Sequence, residues 1–408
     1  MGLDIFDLSY GKIRAKGKIV RKLRKLLPIT CFLVTCLSLK LLSPLSNLAA
    51  EIPDSVTNSP AILADNPYLN YSGRLDWQDP QAPSFGFPGT SVQFQFRGTS
   101  LQIELSEDNW NSGNFIDVFV DDNPTPTTIK LEVDPLGKPI IYDLAANLTD
   151  EVHRVQIIKR NDYITGEFKF HRLITDGELM PAMPKSSRTI EVYGDSISAA
   201  SIVEYPEAGM PDPEDKSTHN ALSNAYWSYG SILARNYDAE VSLVAQSGAS
   251  LVDGFGFWHN GTGMSAFYNK VKPLDEASPW NFANFTPDLV IIALGQNDSA
   301  TIAIGKDMSA EDWKGHYKQL ITNLRAKYPN AYFIGMFPNM YHDRTWDDYL
   351  TDAIAEYSSQ SGDQRIFSLI HEQVTPGHPR ISEQQQMADT LKQFIDGTLT
   401  ENGFSWDS

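Results

Sequence analysis

The sequence predicts an antiparallel β-sandwich followed by a three-layer α/β/α domain on a parallel five-stranded sheet. Three observations carry that prediction. From about residue 67 to 178, short runs alternate apolar and polar residues, with no helical run among them. From 187 to about 400, nearly continuous apolar strands alternate with helix-period segments. Between the two patterns lies Met180-Pro181-Ala182-Met183-Pro184-Lys185-Ser186-Ser187, where paired prolines resist both helix and sheet. A chain of 408 residues fits two domains better than one, and 41% apolar residues are ample for folded cores.

The first fifty residues stand apart. They hold nine Lys/Arg against Asp4 and Asp7, then a leucine-rich run from Leu26 to about Leu42, then Asn47-Leu48-Ala49-Ala50. That order reads as a secretory signal with cleavage near Ala50. The long basic region, with Pro28 and Lys40 interrupting the apolar run, leaves an uncleaved membrane anchor as the alternative. Either way the remainder faces an extracytoplasmic space, secreted or periplasmic, and touches membrane only through this segment. Taking nine basic and two acidic residues from the chain's 33 and 51 leaves 24 against 49, a net charge of −25. Such a surface repels nucleic acid and anionic lipid. Cys31 and Cys36 both lie in the leader, so no disulfide or thiol chemistry is expected beyond it.

After a linker at 51–66, the sandwich is expected over 67–180. Ser91–Phe96 and Leu101–Leu105 alternate around an Arg97-Gly98-Thr99 turn, and similar runs recur at 115–120, 129–133, 154–158 and 166–170. Short strands at this spacing imply antiparallel sheets packed face to face. The strands of the second domain are expected at 189–193, 239–245, 288–294, 331–337 and about 365–369. A helix is expected over Ser309–Tyr328, with Ser309 and Asp312 opening a capping box, and a last one from near Ser382 to about Leu399. Alternating β and α units with such apolar strands indicate a parallel sheet covered on both faces.

Four segments follow strands of that sheet and so meet at its carboxyl edge, where open α/β folds place ligands. They are Gly194-Asp195-Ser196, Gln246-Ser247-Gly248-Ala249, Gly295-Gln296-Asn297-Asp298 and Thr375-Pro376-Gly377-His378-Pro379. Singly, Ser196 reads as a helix cap, Asn297 as a turn residue and His378 as a loop histidine. Together they hold the parts of acyl transfer: a serine nucleophile, an imidazole base, and donors for an oxyanion. The donors are the backbone N–H groups of Ser196 and Gly248 and the amide of Asn297. Asp195 and Asp298 read as structural, bonding loop amides. No cluster has metal-site spacing, no phosphate or dinucleotide fingerprint follows the first strand, and no cofactor is expected.

The order Gly-Asp-Ser, Gly, Gly-x-Asn-Asp and a late His resembles the SGNH (GDSL-like) hydrolases. Upstream, Gly73-Arg74-Leu75, Phe87-Pro88-Gly89-Thr90, Phe96–Leu101 and His153–Arg160 resemble the N-terminal jelly roll of carbohydrate esterase family 2. Trp280–Asp288 is similar to that family as well. The resemblance implies O-deacetylation of acetylated carbohydrate such as xylan or glucomannan. Many such enzymes carry Asp three residues before the histidine, where this chain has Thr375. Family 2 esterases include members that work as a Ser–His dyad with the imidazole held by backbone carbonyls, and the resemblance implies that arrangement here, with Glu372 or His371 as alternative orienters. Gln296 stands where a small residue is commoner, and Ser198-Ala199-Ala200 replaces a more glycine-rich continuation. Trp258 and Trp346 are candidates for a sugar-stacking platform, with domain packing as the alternative. A lipase, thioesterase or acyltransferase on the same scaffold, or a silent carbohydrate-binding protein, remain the rival readings.

Overall fold

The computed structural model describes residues 61–108, 113–121, 123–275 and 278–406. The leader and both cysteines lie outside them. Among the described residues no helix is long and apolar enough to cross a membrane.

The N-terminal part is two antiparallel sheets. In one, Leu75–Asp76, Ser84–Phe85, Glu167–Thr175, Leu101–Asp108 and Ile140–Ala145 lie side by side, and Ile62–Leu63 also pairs with Glu167–Thr175. The sandwich thus takes in residues read as linker. In the other, Glu178–Met180, Ser91–Gly98, Glu151–Lys159, Phe115–Val120 and Thr127–Lys130 follow in order, with Asn70–Ser72 beside Ser91–Gly98. The period-two pattern does the folding: Val92, Phe94 and Phe96 are buried while Gln93 and Gln95 between them are not. They meet Leu101, Ile103, Leu105, Phe168 and Phe170 of the facing sheet in one core.

The C-terminal part is a five-stranded parallel sheet ordered Glu240–Ala245, Thr189–Gly194, Leu289–Ala293, Tyr332–Phe337, Ile366–Ile370. Each strand falls within a residue or so of its expected place. Tyr193, Val290, Ile292 and Phe333 face a core built with Trp313, Tyr317 and Leu350 from helices Ala310–Arg325 and Thr345–Ser361. Val192, Ile291 and Ile334 face the opposite core, covered by helices Tyr229–Tyr237 and Ile381–Phe394. The strands read as unbroken apolar runs because both faces are covered. Ser309 caps its helix by accepting the Asp312 N–H at 3.1 Å.

Charged residues of the sandwich are buried against the parallel sheet. Arg74 is fully buried, donating to Glu191 Oε1 (3.0 and 3.2 Å), Tyr193 Oη (2.8 Å) and the carbonyl oxygens of Tyr268 and Lys270. Burial disfavours the charge, yet the Glu191 carboxylate keeps the guanidinium's pKa above its usual value. Arg160 donates to Asp117 (3.2 Å), Glu204 (2.5 Å) and the Ala221 carbonyl (2.9 Å). Asn224 bonds the same two carboxylates at 2.8 Å each. Segment 204–224 is thereby gripped by the sandwich.

Candidate active site

Gly194 ends the first strand, paired with Ala245 on one side and Ala293 on the other. The segments that leave these three strands therefore start level with one another. A Cβ on Gly194 would lie 2.0 Å from Ser198 Oγ, so only glycine permits the sharp turn into Ser196. The turn is held by Asp195 Oδ1, which accepts the Ile197 N–H at 3.0 Å, and by Gln384 Nε2, which donates to Ile197 O at 2.9 Å. Beyond it Ala200 and Ile202 adopt φ of 55° and 45°, the left-handed region that a more glycine-rich continuation would enter without strain.

Ser196 Oγ lies 2.8 Å from His378 Nε2, as the order of motifs requires. His378 is not held by backbone carbonyls, and the dyad expectation is corrected: its Nδ1 lies 2.5 Å from Asp212 Oδ2. A carboxylate at Nδ1 selects the tautomer protonated there, leaving the Nε2 lone pair to accept the serine hydroxyl. Asp212 Oδ1 also accepts the His378 backbone N–H at 2.8 Å. Burial alone would raise this carboxyl's pKa, but the His378 bonds and the charges of His378 and Arg380 hold it well below the usual carboxylate range.

Asp212 belongs to Pro211-Asp212-Pro213 in the long irregular segment after Ser196. The last helix holds that segment in place. Arg380 reaches Asp212 Oδ1 through both Nη atoms at 3.3 Å and donates to His378 O at 2.5 Å. Glu383 accepts the Gly209 N–H at 2.9 Å. A Cβ on Gly377 would lie 2.7 Å from both Asp212 Oδ1 and Met210 O, so the glycine before the histidine lets the two segments touch. Thr375 donates to Gly377 O at 2.5 Å and closes its own turn. Glu372 is exposed, and His371 is buried with its pKa pushed down to about 4 by burial. The residues considered as orienters thus have other places.

The structure brings the three expected donors, Ser196, Gly248 and Asn297, to the same edge of the sheet. Among the described residues the backbone N–H groups of Ser196 and Gly248 donate to no other group. Asn297 Nδ2 donates to Ala249 O at 2.9 Å and faces Asp195 Oδ2 at 3.4 Å. One amide hydrogen therefore ties the Gly248 turn in place, and the second is held so weakly that a substrate oxygen can compete for it. Asp298 accepts the Leu251 and Val252 N–H groups at 2.8 and 3.2 Å. Burial pushes Asp195 up to about 7 and Asp298 up to about 6.

The two tryptophans are not a platform. Trp258 is 8% exposed and packs edge-on against Phe267, and Trp346 is 6% exposed and packs against Trp313. Both belong to one hydrophobic core, where a large apolar ring is worth more than at the surface. The exposed rings near the rim are Tyr341, 71% exposed, and Phe257, 50% exposed. Tyr341 donates its N–H to Thr375 O at 2.7 Å and accepts from Gln296 Nε2 at 2.8 Å. Phe257 donates its N–H to Gly248 O at 2.8 Å.

A serine, glycine, asparagine and histidine, in that chain order, beyond the carboxyl ends of four strands of a parallel five-stranded sheet define the SGNH class of GDSL-like hydrolases. Residues 192–365 match the GDSL-like lipase/acylhydrolase family model, and residues 71–184 match the carbohydrate esterase 2 N-terminal model. The chain thus carries both a carbohydrate esterase 2 N-terminal domain and a GDSL-like hydrolase domain, and its homologues are carbohydrate esterases. It is 29% identical to the cellulase/esterase CelE of Acetivibrio thermocellus over 82% of this chain and 40% of that protein. It is 31% identical to an acetylxylan esterase / glucomannan deacetylase of Cellvibrio japonicus over 60% of this chain and 64% of that protein. The chain thus spans less than two thirds of the length of either relative. A family two carbohydrate esterase from Clostridium thermocellum, solved in complex with cellohexaose, shares the fold with a TM-score of 0.71 at 25% identity. That match covers 81% of this chain and 99% of the other.

Proposed function

We propose that the protein is an extracytoplasmic serine esterase that removes O-acetyl groups from carbohydrate of the xylan or glucomannan type. The single observation that carries the chemistry is the 2.8 Å contact between Ser196 Oγ and His378 Nε2. His378 takes the hydroxyl proton as Ser196 attacks the acetyl carbonyl, and Asp212 stabilises the imidazolium that forms. The Ser196 and Gly248 N–H groups and Asn297 receive the oxyanion. Collapse breaks the bond to the sugar oxygen, which takes the proton from His378 and leaves as the free hydroxyl. Water then attacks the acetyl-serine through the same histidine, releasing acetate and free enzyme. The substrate class draws on the relatives, one named for acetylxylan and glucomannan and another solved with cellohexaose. The compartment draws on the leader's basic, apolar and small-residue order.

Acetate release from acetylated xylan and glucomannan tests this reading. Ser196→Ala and His378→Ala should each lower kcat by about 10⁴-fold or more, and unchanged rates in both would refute it. A chain-length series of nitrophenyl esters should favour acetyl; a preference for long acyl chains would indicate a lipase instead.

A further inference from the structure

We propose that Asp162, a residue of the β-sandwich, is a positioning residue for the oxyanion hole of the α/β/α domain. The inference rests on the reading of Ser196 as an esterase nucleophile with Gly248 N–H as an oxyanion donor. Asp162 lies just past strand Glu151–Lys159, where it caps the short 3-10 turn Tyr163–Thr165. It is buried. Oδ1 accepts the Ile164 N–H at 3.1 Å, while Oδ2 crosses to the other domain and accepts the Ser247 N–H at 2.6 Å, with Gln246 Nε2 at 3.5 Å.

The Ser247 N–H sits at a sensitive point. Residues Gln246 to Ala249 form a β-turn closed by the Ala249 N–H to Gln246 O at 3.1 Å, with Gly248 at φ 77°. A positive φ at the third position is the mark of a type II turn. Such a turn leaves the N–H groups of its two central residues without partners inside the turn. Asp162 takes the first, and the second, Gly248 N–H, donates to no other group among the described residues. A short bond to a carboxylate fixes the Gln246–Ser247 peptide plane, and the next peptide, which aims Gly248 N–H, takes its orientation from that plane. Ser247 Oγ adds a tether to Ser201 Oγ at 2.6 Å.

The corner that carries Asp162 is braced from within the sandwich. The Lys159 ammonium is buried and donates to Asn114 Oδ1 (2.5 Å), Asn161 O (2.9 Å) and Asp162 O (3.3 Å). The sandwich therefore supplies a rigid strut to the turn that aims one donor. Donors act on a transition state in proportion to how well they are pre-aimed, so loosening the strut lowers kcat and leaves ground-state binding alone.

Two variants test the strut. Asp162→Ser retains a hydroxyl able to cap Ile164 N–H but is too short to reach Ser247. Asp162→Asn keeps the length and offers one acceptor oxygen for two donors. With nitrophenyl acetate, Asp162→Ser should lose about 10- to 100-fold in kcat with KM within about twofold, and Asp162→Asn should fall between it and wild type. Affinity for a phenylboronic acid, whose tetrahedral serine adduct places an oxygen in the hole, should fall by a similar factor. Unchanged kcat and boronate affinity, or a loss in KM alone, would overturn the proposal; if Asp162→Ser does not fold, Asp162→Asn decides on the same readings. Ser196→Ala runs beside them. Activity surviving in Ser196→Ala overturns the serine-esterase reading itself, whereas an inactive Ser196→Ala with fully active Asp162 variants overturns only the positioning role.

Discussion

Asp195 adjoins Ser196 in the chain, and Asp212 reaches it through His378; the two carboxyls serve the same site under opposite conditions. Asp195 is fully buried, accepts the Ile197 N–H, faces an amide, and has its pKa pushed up to about 7 by burial. Asp212 is partly open to solvent, touches His378 and Arg380, and is held below the usual carboxylate range. A carboxyl that is ionised over the whole working range can stabilise an imidazolium; one that titrates near neutrality cannot do so reliably. With Asp212 on His378 Nδ1 and Asp195 on the Ile197 N–H and the Asn297 amide, the proposed mechanism gives the partnership with the histidine to Asp212 and the bracing of loops to Asp195, although Asp195 is the nearer in sequence.

The largest expected effect separates the two directly. Asp212→Asn should lower kcat for acetyl esters by about 10²- to 10⁴-fold, because the amide no longer enforces the tautomer and charge of His378. Asp195→Asn should cost about tenfold or less. Equal losses in steady-state assays would erase the distinction. Gly377→Ala comes next: the new methyl would meet Asp212 Oδ1 at 2.7 Å, so kcat should fall about tenfold while the folded fraction holds.

The pH dependence of stability should carry opposite signs. Asp195 has a folded-state pKa raised to about 7, so the folded state holds its proton longer than the unfolded one. Its contribution weakens as pH rises from about 4 to 7. Asp212 has a depressed folded-state pKa. Its stabilisation is present above the ordinary carboxylate value of about 3.9 and is lost as pH falls below it. Melting curves from acid to neutral pH should show a shallower decline toward neutrality in Asp195→Asn and a smaller loss in acid in Asp212→Asn. The smallest effect concerns the rim. Tyr341→Ala should raise KM for acetylated polymer a few-fold, by about 1 kcal/mol of lost stacking, and leave nitrophenyl acetate alone. Trp258→Ala should instead cost about 3–5 kcal/mol of stability as a cavity in the core, read by denaturant unfolding.

Much of this arrangement was legible in the chain because strands carry strong periodic signals and the site hangs from their ends. Ser196, Gly248 and Asn297 each follow an apolar run by a few residues and His378 follows one after a longer loop, and parallel topology brings such positions together. Asp212 lacked any such marker, since it lies in a non-periodic segment and reaches His378 only through tertiary contact. Two local signals could have pointed to it: the stiff Pro211-Asp212-Pro213 sequence, and a glycine rather than a bulky residue before His378. Trp258 and Trp346 misled because a tryptophan in a connection looks the same whether it faces solvent or fills a core. Asp162 was illegible for a further reason, as its partner lies on another domain and the contact is with backbone, which leaves no trace in side-chain pattern.

The most direct test of the account is covalent labelling of Ser196 by a fluorophosphonate, followed by peptide mass spectrometry in wild type and Asp212→Asn. A serine activated through His378 and Asp212 should carry the whole label in wild type and acquire it at least tenfold more slowly in Asp212→Asn. Label on another residue, or an undiminished rate in Asp212→Asn, would contradict it.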